Sequence, residues 1–202
     1  MSVDPQTSPA TGIDPATFRR VLGHFATGVT VVTTRQSGRR AGITVNAFCS
    51  VSLDPPLVLV CVEHTNYTHD LLLETGYFAA NFLSADQASV SRCFAGRGPA
   101  KYQDFCGVAT HTEATGAPVF DDCLAWVDCR VVAVYPGGDH SILIGRVEAL
   151  GSREATPLLF YGTRYGRLVP QELDLGPSTE TLSAPDAPAM PAATAPPERP
   201  RI

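Results

Sequence analysis

Two stretches of the chain carry polar side chains of types that bind ligands, in positions where a sheet would bury aliphatic ones. The first is AGITVNAFCSVSLDPPLVLVCVE, residues 41–63. Its surroundings, Val29 to Thr33 and Leu57 to Cys61, read as buried strand, yet Thr44, Asn46, Ser50 and Ser52 place hydroxyls and an amide between them. Side chains alternate across a strand, so Thr44 and Asn46 share one face while Ile43 and Val45 share the other. Such a face is either the solvated side of an amphipathic strand or a groove of hydroxyls, an amide and backbone N–H groups that receives a flat polar ligand. The second stretch is Gly137-Gly138-Asp139-His140. A hairpin turn calls for Gly and Asp but not for His. His140 is either exposed beside the turn or, in a cleft, an imidazole that hydrogen-bonds or shares charge with a substrate.

Other chemistries are not supported. No GxSxG nucleophile elbow occurs, and the carboxylates show no paired pattern. His24, His64, His69 and His111 lack a setting like that of His140 and read as ordinary histidines. The six cysteines form no CxxC pair and no ligand cluster, so no metal site is expected and most should be free thiols. A binding cavity without acid–base machinery is what a cofactor that does its own chemistry requires.

The elements that position these residues follow from periodicity. Asp14-Pro15 starts a helix as N-cap and first helical residue, with Phe18, Val21, Leu22 and Phe25 on one stripe and Gly28 as its stop. A strand follows to Thr34, and RQSGRR (35–40) reads as a solvated basic turn rather than a site for a 2′-phosphate. Pro55-Pro56 sets an extended exit from the polar stretch. A short helix is predicted from Asn66 to Glu74, closed by Gly76, then a strand from Tyr77 to Leu83. Ser84 to Gln87 has capping-box spacing and predicts a helix to about Phe94. After a loop at 96–107, two long strands, about Leu124 to Tyr135 and Ser141 to Leu150, meet at the Gly137-Gly138 turn, and an apolar run ends at Tyr161.

Six or seven strands with hairpin connections and few short helices predict a mainly β protein, an antiparallel barrel with helices at its rim. No strand-GxGxxG-helix unit suggests a Rossmann domain. The chain of 202 residues suits one domain. That domain is expected over 14–169, with a disordered N-terminus (1–13) and a disordered Pro/Ala-rich tail (170–202). A net charge of -5 with no basic stripe argues against nucleic acid. No apolar run approaches the ~20 residues of a membrane span, and the first dozen residues lack signal-peptide features; a cytoplasmic location is expected.

Four motifs in order, Phe18 to Thr34, Gly42 to Pro56, Phe78 to Ser84 and Gly138 to His140, resemble the flavin reductase-like family, and more narrowly the short-chain reductase components of two-component flavin-dependent monooxygenases. The resemblance implies a homodimeric split β-barrel that transfers a hydride from NADH or NADPH to FMN or FAD and supplies reduced flavin to a partner monooxygenase. A flavin-retaining oxidase and a flavin carrier without reductase activity are the alternatives. By the same resemblance Gly42, Thr44, Val45, Asn46 and Ala47 line the flavin ring, with Ser50 beyond them. Cys61, Val62, Glu63 and Thr68 lie towards the ribityl-phosphate side, and Arg92 and Phe94 flank the phosphate. His140 sits beside the flavin and positions the nicotinamide, and Phe160, Tyr161 and Gly162 belong to the nicotinamide pocket. Cys49 stands where the family commonly has Ser or Thr.

Overall fold

A strand clad on both faces organises the molecule. In the computed structural model, which describes residues 12–96, 101 and 103–169, the strand Thr30–Gln36 is buried from Thr30 through Thr34. Val32 packs into one apolar cluster with Ile43, Val60, Leu72 and Phe78, while its neighbour Val31 enters a second with Leu83, Phe94, Phe105 and Phe120. With both faces covered, polar and apolar residues cannot alternate. The hydroxyls therefore need partners: Thr34 donates to the Tyr77 carbonyl at 3.0 Å and lies 2.8 Å from the Thr75 hydroxyl.

The chain runs α1 (Pro15–Leu22), β1 (Thr27–Gly28), β2 (Thr30–Gln36), β3 (Arg39–Val45), β4 (Phe48–Leu53), β5 (Pro56–Glu63), α2 (Tyr67–Thr75), β6 (Tyr77–Phe82) and α3 (Ala88–Ala95). A 3₁₀ turn at Phe105–Gly107 precedes β7 (Thr110–Thr112) and β8 (Pro118–Phe120), then β9 (Ala125–Gly137), β10 (His140–Ser152), β11 (Leu158–Tyr161) and β12 (Arg164–Arg167). Seven strands form one antiparallel sheet in the order β3-β2-β6-β9-β10-β5-β4, and β1-β11-β12 form a smaller one.

The two edge strands of the large sheet, β3 and β4, are consecutive in sequence and joined only by Asn46 and Ala47. The sheet therefore curls until its edges meet at one corner. Below it they part, and among the described residues no ladder joins β3 to β4 or β5. The antiparallel, mainly β expectation is met, but hydrogen bonds do not close the barrel. Helix α2 packs on β2, β3 and β6 with Leu71 and Leu72 buried, and Thr68 Oγ1 donates to the Gly42 carbonyl at 3.1 Å.

Local signals decide most element ends. Asp14 caps α1, its carboxylate accepting from the Thr17 N–H at 2.8 Å. Asn66 caps α2 through the Thr68 N–H at 3.0 Å, and Gly76 closes it in the left-handed region at φ 68°, where a side chain would be strained.

Several expectations are corrected. α1 stops at Gly23, not Gly28, because Thr27–Gly28 pairs with β11. Ser84 and Gln87 do bond as in a capping box, the Ser84 N–H to Gln87 Oε1 at 3.0 Å, but they form a turn and the helix begins at Ala88. Pro55-Pro56 is no extended exit: Leu53 pairs with Pro56 across a tight turn whose Asp54–Pro55 peptide is cis. Cys93 and Cys106 form a disulfide that ties α3 to the 3₁₀ turn, leaving Cys49, Cys61, Cys123 and Cys129 as free thiols. Burial pushes the Cys123 thiol up to about 11 and that of Cys129 to about 12. Both expected disordered termini lie outside the described residues, apart from Gly12 and Ile13. Among the described residues no helix is long and apolar enough to cross a membrane.

Candidate active site

The corner between β3 and β4 is where the predicted side chains converge. Residues Ile43 to Ala47, Cys61, Glu63 and His140 line a cavity of about 320 Å³. Its geometry follows from strand alternation and register. Ile43 and Val45 turn their side chains into the core, leaving Thr44 on the opposite face, where Thr44 Oγ1 donates to the Ser91 carbonyl of α3 at 2.8 Å. Asn46 and Ala47 follow, exposed at the corner. Across the mouth, Cys61 and Glu63 point outwards from β5 while Val62 is fully buried between them. The ladder sets His140, the first residue of β10, directly opposite Glu63.

His140 is held by its neighbours. Its Nδ1 lies 2.7 Å from Asp139 Oδ1; a carboxylate only accepts, so Nδ1 carries the proton and Nε2 is left for another partner. That hydrogen bond from His140 holds the Asp139 carboxyl below the usual carboxylate range. The next residue, Ser141, is gripped from α2 and from the β5–α2 connection. His69 Nε2 lies 2.9 Å and His64 Nε2 3.2 Å from Ser141 Oγ, and His69 Nδ1 lies 3.0 Å from Asp70 Oδ1. The carboxylate fixes Nδ1 of His69 as donor, so Ser141 donates to His69 and His64 donates to Ser141. Both histidines read as ordinary in the sequence, yet they anchor the start of the strand that carries His140. Partial burial pushes the Cys61 thiol upward, keeping it a neutral wall of the cavity.

Asn46 also lines a second, apolar cavity of about 460 Å³, walled by Phe25, Thr27, Gly28, Phe48, Phe82 and Leu158 among others. The sequence reading missed this wall. Its local signal, Thr27-Gly28, resembles a helix stop, and only pairing with β11 turns it into a lining. Thr27 Oγ1 is buried there without a hydrogen-bond partner among the described residues, and a Cβ added to Gly28 would meet nothing within 4 Å. An unpaired buried hydroxyl is costly, and a ligand placed in this cavity would satisfy it. The two cavities share Asn46, so an apolar wall and a polar corner adjoin there.

Other expected residues are placed elsewhere. Gly42 does not face the cavity: a Cβ there would come within 2.7 Å of the Phe94 ring, so this glycine exists for Phe94. Phe94 is fully buried with Phe105 and Phe120, ring centroids 5.0 and 5.4 Å away. Thr68 is likewise buried, its hydroxyl used on Gly42. The bare backbone of Gly42 thus makes room for Phe94, and the side chains of Val62, Thr68 and Phe94 serve the core. Ser50 is exposed on the edge strand β4, opposite Val58, outside the cavity. Arg92 is exposed with its guanidinium 5.7 Å from the Tyr165 ring centroid. Phe160, Tyr161 and Gly162 sit behind the apolar cavity: Phe160 pairs with Thr27, the Tyr161 hydroxyl lies 3.3 Å from His24 Nδ1, and the Gly162 N–H donates to the Gly23 carbonyl at 2.8 Å.

Residues 22–169 match the model of the flavin reductase like domain. The chain is 38% identical over 176 residues, 87% of its own length and 89% of the relative's, to the flavin-dependent monooxygenase reductase subunit HsaB of Rhodococcus jostii (strain RHA1). It is 40% identical over 156 residues, 77% and 87% of the two lengths, to the FMN reductase (NADH) SmoA of Agrobacterium fabrum. Among solved structures, the NADH:FAD oxidoreductase SgcE6 of Streptomyces globisporus C-1027, in complex with NAD and FAD fragments, superposes with a TM-score of 0.73 at 37% identity, over 84% of this chain and 98% of that one.

Proposed function

Because the chain belongs to the flavin reductase like domain family, we propose that it transfers a hydride from NADH or NADPH to FMN or FAD held at the Asn46–Ala47 corner, and that the reduced flavin serves a partner monooxygenase. The observation that carries this reading is the convergence of Thr44, Asn46, Ala47, Cys61, Glu63 and His140 on one cavity that meets an apolar one at Asn46. The relatives support it, being a monooxygenase reductase subunit and an NADH-dependent FMN reductase by name.

Flavin, when bound, supplies the two-electron acceptor chemistry. The protein's part is placement and electrostatics. Asn46 and the backbone of the corner offer donors to the polar edge of the ring. Phe25, Phe48 and Phe82 exclude water along its apolar edge. Thr27 Oγ1 supplies an otherwise unused hydroxyl. His140 presents Nε2 to the cavity and orients the nicotinamide, while Asp139 keeps the imidazole in one tautomer.

The proposal includes a homodimer. Among the described residues the apolar face of α1 is uncovered: Phe18, Val21 and Leu22, with Phe25 just past the helix, are all more than half exposed, and a patch of that kind marks an interface. Phe25 also walls the apolar cavity, so a second copy seated on α1 would complete the site. Sedimentation is expected to give twice the chain mass, falling to one chain mass in a Val21→Asp/Leu22→Asp variant; a wild-type monomer overturns the dimer.

Purified protein given NADH or NADPH with FMN or FAD is expected to consume the nicotinamide, read by its absorbance, at rates that scale with free flavin. A protein that binds flavin tightly but oxidises neither nicotinamide is a carrier, and overturns the reductase reading.

A further inference from the structure

His69 is a buried titratable side chain that the proposed reaction leaves without a part. It is buried beside Ser141, itself buried on the core face of β10, where the next residue on that face, Leu143, is fully buried. Val62, directly opposite Ser141 on β5, is fully buried as well. An aliphatic side chain is what such a position ordinarily holds. In its place stand a hydroxyl and two imidazoles. Ser141 Oγ donates to His69 Nε2 at 2.9 Å and accepts from His64 Nε2 at 3.2 Å, and the two rings meet edge to face with centroids 5.0 Å apart. A buried polar set of this kind adds little net stability over apolar side chains of similar shape. What it adds is a single fixed arrangement, because every member must keep its partner.

That arrangement bears on the residue next door. His140 precedes Ser141 and turns to the other face, into the cavity. The hairpin tip that carries it has little packing of its own: residues 134–139 are all exposed, and Gly138 turns the chain in the left-handed region at φ 74°. Exposed segments with few packed side chains are the first parts of a fold to open. Beyond the strand ladder, two ties reach this tip. One is the Ser141 hydroxyl, held from α2 by His69, whose Nδ1 donates to Asp70 Oδ1 at 3.0 Å and so leaves Nε2 to accept. The other is His64, whose ring reaches Ser141 and whose backbone N–H donates to the Asp139 carbonyl at 3.0 Å. We propose that Ser141, His69 and His64 are positioning residues, which fix the hairpin tip so that His140 meets the nicotinamide in one orientation. The inference rests on the flavin reductase reading for what His140 meets, and adds three residues that act through it.

A Ser141→Ala/His69→Leu variant tests it, because it removes the buried polar pair together and strands no buried polar atom: His64 and Asp70 are both exposed and turn to water. Three readouts apply: urea unfolding, histidine-ring nitrogen NMR of His140, and kinetics with FMN and NADH or NADPH. The urea midpoint is expected at or above that of wild type. The His140 ring, protonated at Nδ1 in wild type, is expected to become a mixture of tautomers as its hold on Asp139 loosens. The kcat/KM for the nicotinamide is expected to fall at least tenfold, within the about 10²-fold that a 1 Å misplacement costs, with FMN affinity unchanged within about twofold. A folded variant whose His140 tautomer and kcat/KM both match wild type makes the cluster core packing only and overturns the proposal. So does one that loses FMN affinity along with turnover, since the cluster then supports the whole cavity. If the double variant does not fold, His64→Leu, at an exposed position, decides by the same tautomer and kinetic readouts. Should wild type oxidise neither nicotinamide, the reductase reading fails, while the tautomer comparison still decides whether the cluster holds His140.

Discussion

Replacing His140 with Ala is expected to lower kcat/KM for the nicotinamide by about 10²-fold, the size of effect that misplacing a reactant by 1 Å produces, while flavin affinity changes by less than about twofold. The split between the two readouts follows from geometry. His140 lies across the cavity from the corner, opposite Glu63, and presents Nε2 because Asp139 holds Nδ1. It lines the cavity with Asn46 and Ala47 but is no part of the apolar wall, so a flavin held at the corner would keep its other contacts. Stopped-flow reduction and flavin titration of one preparation check both halves. A variant that reduces flavin at the wild-type rate removes His140 from the site; one that loses flavin and turnover together makes it a flavin ligand.

A Phe94→Ala variant is expected to lose about 3–5 kcal/mol of stability, the usual cost of removing a fully buried aromatic side chain. Its ring fills the space that Gly42 leaves open and packs against Phe105 and Phe120. The cavity left behind has little means of collapse, because α3 is pinned by the Thr44 bond to Ser91 and by the Cys93–Cys106 disulfide. Urea unfolding monitored by circular dichroism gives the measurement. Flavin affinity in the fraction that remains folded is expected to change little; a stable variant with selectively weakened flavin binding would return Phe94 to the ligand's side.

These two residues show where the sequence was legible and where it was not. The alternation at Ile43, Thr44 and Val45 is local, so the face opposite the core could be read from the chain, as could the cap at Asp14 and the start of a helix at Asn66. The role of Gly42 could not, since a ligand and a phenylalanine 52 residues away both explain a missing Cβ. Periodicity announced the stripe on α1 but not its exposure, because it says that a face is apolar and not what covers it. Thr27 and Gly28 became a cavity wall only through pairing with β11. His64, His69 and Ser141 are joined by hydrogen bonds between segments far apart in the chain, and the cysteines at 93 and 106 form no recognisable motif.

The connection at Asn46 and Ala47 does two jobs with the same pair of residues: it carries the chain from one border of the sheet to the other, and it floors the cavity. Adding or deleting a residue there would shift β3 against β4 and turn one strand's side chains to the wrong face. Loop length is therefore closed to this protein as a means of reshaping its pocket. Side-chain identity remains open, because both residues are exposed. Members that prefer different flavins should differ here by substitution and not by insertion, as a hinge pin can be recut in another metal but not lengthened without jamming the door.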